Sequence, residues 1–188
     1  KDVTHTVHYI YADGTTAKPS HTQTLTFTGS GHINKVTGEY VEVDEEGNIK
    51  LDSDGKPIPG KLNWMSALGN SFLAVPSPII TGHTPSHTEI NGVENVAHDS
   101  ENYVYTVTYT ANAAKAEIIY VDETTGKQLE TAVVDGKYNE TINYSTADKI
   151  KYYESLGYEL VKDGYVGGEF GEDTKTFYVT FKHGTVTV

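Results

Sequence analysis

The 188 residues carry 26 acidic against 14 basic side chains, a net charge of -12, and every basic one is lysine. Without arginine for bidentate phosphate contacts, a chain this acidic argues against nucleic acid and against anionic membrane surfaces. There is no cysteine, hence no disulfide or thiolate metal site, and neither an apolar run near about 18 residues nor a signal-like start, so no membrane span or export signal is expected. The 25 threonines and 14 tyrosines suit half-exposed strands and predict a β-dominated fold. An acidic, cysteine-free, threonine-rich chain also fits the surface of a Gram-positive bacterium.

Residues 3–12 alternate, with Val3, Val7, Tyr9 and Tyr11 on one face. Asp13-Gly14-Thr15-Thr16 follows as a turn, and residues 21–28 alternate again, with Leu25 and Phe27 on one face. The spacing predicts a hairpin whose connecting loop contains Pro19. Residues 29–60 read as short strands and turns, punctuated by Gly38, Gly47 and Gly55, with Pro57 and Pro59 opposing a central strand. One helical turn is expected around Trp64, and an extended loop over 76–92. Residues 102–110 return to alternation, and Ala111-Asn112-Ala113-Ala114 reads as a boundary.

After that boundary the pattern starts again. Tyr9-Ile-Tyr-Ala-Asp-Gly-Thr-Thr16 resembles Ile119-Tyr-Val-Asp-Glu-Thr-Thr-Gly126, and the halves end alike in Tyr105-Thr-Val-Thr-Tyr109 and Phe177-Tyr-Val-Thr-Phe181. The second half reads as two strands, a helix and two further strands. Helix signals concentrate over 145–157. Ser145 is an N-cap with Asp148 three residues on, Gly157 is a stop, and Ala147, Ile150, Tyr153 and Leu156 recur every third residue. A hairpin, a crossing helix and returning strands make the β-grasp (ubiquitin-like) order, with strands 115–121 and 175–182 parallel neighbours under the helix. A plain α+β sandwich with another strand order is the alternative. Domains are expected at 1–112 and 113–188, each β-grasp-like, the two in tandem forming an elongated rod. The strand-like Asp2-Val-Thr and Gly184-Thr-Val-Thr-Val188 at the ends suit a unit cut from an array.

Chemistry-bearing patterns are sparse. Among eight histidines, His5 and His8 point to opposite strand faces and Pro85 separates His83 from His87, so they read as exposed polar residues rather than metal ligands. Asp44, Asp52 and Asp54 are candidate calcium ligands, since Asp52-x-Asp54-Gly55 echoes part of a calcium loop, but Asn63 stands where the bidentate glutamate belongs. The same residues suit tight turns, and no cofactor is expected. No nucleophile elbow, phosphate loop or dinucleotide loop occurs, so no enzyme is expected. The glycines of Gly164-Tyr-Val-Gly-Gly168 suit a mobile turn. Tyr138, Tyr144, Tyr152 and Tyr165 are candidates for sugar stacking, against the alternative of half-buried structural tyrosines.

Taken together, Ile119-Tyr-Val-Asp-Glu-Thr-Thr-Gly126-Lys-Gln-Leu129, Gly157-Tyr-Glu-Leu-Val161 and Thr176-Phe-Tyr-Val-Thr-Phe181 resemble the MucBP (mucin-binding protein) domain. The first half resembles the companion domain in the Mub repeats of lactic-acid bacterial adhesins. That resemblance runs through Val3-Thr-His-Thr-Val-His-Tyr9, Val36-Thr-Gly-Glu39, Trp64, Phe72, Val75-Pro-Ser-Pro78 and Gly82-His-Thr-Pro85. His5 stands where that family usually has arginine and His83 where it usually has tyrosine, departures expected to bear on ligand contact and not on fold. The resemblance implies an extracellular, cell-wall-anchored adhesin repeat that binds mucin glycoproteins or their glycans beside other repeats of one parent chain. Two alternatives remain open: a module that binds immunoglobulins through β-grasp edge strands, and a pure spacer.

Overall fold

The computed structural model describes residues 1–184; the strand-like tail 185–188 lies outside the described residues. By its contacts the chain divides into two compact units, Lys1–Ser77 with His87–Thr108, and Pro78–Ser86 with Tyr109–Val188.

In the first unit β1 (Asp2–Tyr11) and β2 (Thr16–Ser30) form the expected antiparallel hairpin. The Asp13 carboxylate accepts from the Thr15 amide and hydroxyl, and Gly14 takes a φ of +87°, closing the turn. Pro19 is not in a loop. It lies within β2, at an irregularity where Val7 pairs His21 but Tyr9 pairs Lys18. The extra β2 residue needs no ladder bond there, so a residue without an N–H is tolerated.

Trp64 is not on a helical turn either. It belongs to β3 (Asn63–Ser66), which pairs with Phe27–Ser30 of β2 and turns Trp64 and Ser66 inward. Between them, residues 31–62 form a ladder of isolated bridges, from Ile33–Tyr40 to Leu51–Pro57. The expected 76–92 loop contains three short strands, β4 (Val75–Pro76), β5 (His83–Pro85) and β6 (Glu89–Ile90). The return strand β7 (Tyr103–Ala111) lies beside β1, giving the order β3-β2-β1-β7. Val3, Leu25, Phe27, Phe72 and Val96 form the core, with Trp64, Val93 and Tyr103 packed on it.

His5 corrects the reading of the histidines as exposed. It is wholly buried, with ring centroids 5.0 Å from Tyr105 and 5.4 Å from Phe72. Its strand parity with Val3 and Val7 puts it on the core face. The residue at this position therefore bears on packing.

In the second unit β8 (Ala113–Asp122) and β9 (Lys127–Lys137) form a hairpin, followed by α1 (Ala147–Ser155), β10 (Tyr158–Asp163) and β11 (Lys175–His183). The sheet order is β10-β11-β8-β9, and β11 runs parallel to β8 from Lys175–Ala116 to Phe181–Asp122. This is the expected β-grasp sheet. Tyr153 carries the helix onto it, packing with Ile118, Tyr120, Val179 and Phe181.

The helix ends differ from expectation. Thr146, not Ser145, is the N-cap, and its hydroxyl donates to Asp163 at 2.7 Å instead of capping; Ser145 Oγ accepts from the Ala147 amide at 3.3 Å. Gly157 does stop the helix, with a φ of +96°. Leu156, expected under the helix, is 57% exposed. Neither is the 164–171 loop a free turn. Gly164 donates to the Tyr178 carbonyl, Ile142 to Gly168, and Phe170 to Glu140.

Only Asn112 separates β7 from β8, and the second unit holds it from both sides. Its amide donates to Gly82, its carbonyl accepts from Tyr138, and its side-chain oxygen accepts from the Thr84 hydroxyl. The strap 78–86 is fixed further by the Tyr109 hydroxyl, which donates to the Pro78 carbonyl, and by Tyr138 lying on Gly82.

Candidate functional site

The four tyrosines picked out as sugar-stacking candidates fall into two groups. Tyr144 and Tyr165 pack edge-on, centroids 5.5 Å apart, against the hydrophobic clusters of the second unit. Tyr144 shares a 2.6 Å hydroxyl–hydroxyl hydrogen bond with Tyr120. Burial raises the Tyr120 hydroxyl's pKa, the bond to Tyr144 adds to this, and burial also raises Tyr165. These rings hold the fold. Tyr138 is half-buried over Gly82, its ring edge 5.8 Å from His83. Only Tyr152 is open to a ligand, 53% exposed, with Lys149 Nζ 6.0 Å from its ring centre. Tyr178, 55% exposed on β11, is a comparable surface aromatic that alternation alone did not single out.

Asp44 and Asp52 head two successive turns of one design. Asp44 accepts from the amides of Glu46 and Asn48, and Asp52 from those of Asp54 and Lys56. Gly47 and Gly55 close these turns with φ of +85° and +75°. One carboxylate oxygen of each is thus committed to the backbone, as in Asx turns generally. The structure does not gather Asp44, Asp52 and Asp54: among the described residues no group of three His, Cys, Asp or Glu side chains is arranged to hold a metal ion. No helix among them is long and apolar enough to cross a membrane.

The first unit contains a concave feature that sequence patterns did not disclose. A cleft of about 390 Å³ lies between the inner face of β2 and β3, with Phe27, Trp64 and Ser66, and the segment Val96–His98. The Trp64 indole stacks on the His98 imidazole, centroids 4.4 Å apart and planes 9° apart. It also lies against Gly29, where a Cβ would come within 3.1 Å of the ring. The opposite wall is fixed by backbone bonds: Val96 donates to the Asn70 carbonyl and Ala97 to the Ser100 hydroxyl. Phe27 and Val96 are core residues, so the cleft opens onto the hydrophobic centre of the unit. Ser66 Oγ and His98 Nδ1 are buried without a hydrogen-bond partner, the two such side-chain atoms among the described residues. Trp64 stood out in the sequence for its family position alone; its partner His98, 34 residues later, carried no signal of its own.

The family model described as "Muc B2-like domain" matches residues 1–113, and the one described as "Mucin binding domain" matches residues 114–183. Among solved structures, one titled as Mub-RV is 31% identical, with a TM-score of 0.47, over 60% of this chain and 53% of its own. The chain thus spans about half the length of that relative. A type 2 repeat of the mucus binding protein MUB from Lactobacillus reuteri is 32% identical over 60% of this chain and 50% of its own, with a TM-score of 0.37. The MucBP domain of an adhesion protein from Pediococcus pentosaceus is 28% identical over 60% of this chain and 99% of its own, with a TM-score of 0.44. No curated protein matches the chain.

Proposed function

We propose that this chain, which belongs to the Mub/MucBP repeat family, is a non-enzymatic adhesin module that binds mucus glycoproteins through their glycans at the outer surface of the cell. The observation that carries the reading is the succession of the two family models, which together run from residue 1 to residue 183. Supporting it, the surface offers exposed tyrosines and a fixed apolar cleft, while the acidic charge and the lack of arginine disfavour nucleic acid. Weak sites of this kind gain avidity when several repeats act together in one cell-wall-anchored parent chain.

The test is binding of the 188-residue chain to immobilised mucin before and after enzymatic removal of the glycans. Retention on intact mucin and loss after deglycosylation is expected. Retention that survives deglycosylation moves the reading to protein recognition, for which serum immunoglobulin is the probe and the edge strands β9 and β10 are the surfaces at issue. Retention no better than that of an unrelated acidic protein leaves a spacer and defeats the proposal.

A further inference from the structure

We propose that the cleft beside Trp64 in the first unit receives the acetamido group of an N-acetylated amino sugar. The inference deepens the mucus-binding reading and rests on it for the choice of a sugar; the group itself is chosen by the cleft. Its floor is apolar, made by Phe27 and Val96, and its walls are pinned, Val96 to Asn70 and Ala97 to Ser100. About 390 Å³ sits at the small end of ligand pockets, enough for one sugar residue.

Beside this floor stand the two unpartnered polar atoms, Ser66 Oγ and His98 Nδ1. A buried polar atom without a partner destabilises a fold, and its persistence asks for a reason. Here both belong to residues lining the same cleft, 32 positions apart in the chain. A ligand that supplies their partners recovers that loss on binding.

An acetamido group meets each requirement in one planar unit. Its methyl lies on Phe27 and Val96, its carbonyl accepts, and its N–H donates. A serine hydroxyl can do either, and an imidazole nitrogen does one or the other by tautomer. A sugar bearing only hydroxyls can lay a C–H face on that floor but does not join a methyl to an amide donor and acceptor in one planar unit. Both protein atoms are shut off from solvent in the unliganded cleft. Entry therefore includes rotamer changes at Ser66 and His98, of the kind common when partners bind.

Trp64 is the only tryptophan, so the fluorescence of the whole 188-residue chain reports on this cleft. Titration with the methyl glycosides of N-acetylgalactosamine and N-acetylglucosamine is expected to give a saturable change in the millimolar range. The methyl glycosides of galactose and glucose should bind at least about tenfold more weakly. Ser66→Ala is the decisive variant. Removing an unpaired hydroxyl should leave the melting temperature equal or higher, while affinity for the N-acetylated sugars falls about fivefold. A merely structural Ser66 would not separate the two readings. The proposal is overturned if acetylated and unacetylated sugars act alike, if neither changes the fluorescence, or if Ser66→Ala binds as the parent does. A chain that binds mucin while Trp64 stays silent to all four sugars sinks the cleft and spares the adhesin reading. A chain whose Trp64 responds as expected but which ignores mucin does the reverse.

Discussion

The two units solve one problem, covering the open face of a strand hairpin and its neighbour, with different materials. In the second unit a helix does it. Tyr153 sits among Tyr120, Tyr158 and Phe181, with centroids 5.3 to 5.9 Å away. The polar groups there are paired: Tyr153 donates to Glu130, Lys149 meets Glu130 at 3.0 Å, and His183 meets Asp122 at 2.8 Å. In the first unit the same face is covered by irregular chain around Phe72, Val93 and Val96, with buried His5 among aromatic rings and two polar atoms left unpaired. A helix satisfies its own backbone, so its cover closes tightly. Irregular chain must find partners residue by residue, and its cover retains a cleft.

The largest expected effect breaks both covers. Tyr153→Ala in the second unit and Phe72→Ala in the first should each cost about 3–5 kcal/mol, since each removes a buried ring from a core cluster. Chemical denaturation followed by helix circular dichroism and by Trp64 fluorescence assigns each loss to its unit. An equal shift of both signals by either variant would show that the covers do not act separately.

Next comes the strap. At Gly82 the φ is +71° and a Cβ would stand 2.2 Å from the Tyr138 ring. Gly82→Ala should therefore cost about 2–3 kcal/mol, read as a lowered denaturation midpoint. A neutral outcome would mean that the strap does not bear on Tyr138.

Smaller again is the paired polar group of the helical cover. Burial pushes Glu130 upward, but hydrogen bonds from Tyr153 and Lys149 outweigh it and leave the carboxyl below its usual value. Its contribution is therefore full above the usual carboxylate range and is lost as pH falls through the lower folded value. Glu130→Gln should cost about 1.5 kcal/mol at neutral pH and flatten that acid dependence. A variant as acid-sensitive as the parent would place the dependence elsewhere.

The smallest effect expected is at Leu156. Being 57% exposed, Leu156→Ala should shift stability by less than about 0.5 kcal/mol. A loss of several kcal/mol, which a residue under the helix would give, would contradict the register of α1.

The same helix shows what the sequence disclosed and what it hid. The parallel pairing of β8 and β11 was legible, because an alternating strand, a helix and another alternating strand leave few arrangements. The stripe Ala147, Ile150, Tyr153, Leu156 was not, because steps of three residues wind about 60° around a helix of 3.6 residues per turn. Over three steps the ends of the stripe face opposite ways. Tyr153 is buried and Ile150 partly so, while Ala147 and Leu156 are exposed. Pro19 and Trp64 were misplaced for another reason: a bulge and an edge strand are decided by what pairs with them, not by their own patterns. The aspartates of the 44–55 turns carried one signal for two uses, and the structure shows the turn. The cleft was out of reach altogether, since it exists only once β3 and the 96–98 segment meet.

The seven paired positions between β8 and β11 have a mechanical consequence. Because these strands are parallel, tension applied near Ala113 and near His183 pulls the two strands past each other lengthwise. Every hydrogen bond of the pair then carries load at once, and none can be peeled open from one end. That places the greatest resistance of the second unit on the line running from the start of β8 to the end of β11. Single-molecule stretching would read it as one abrupt, high-force rupture of the second unit in place of a gradual unzipping.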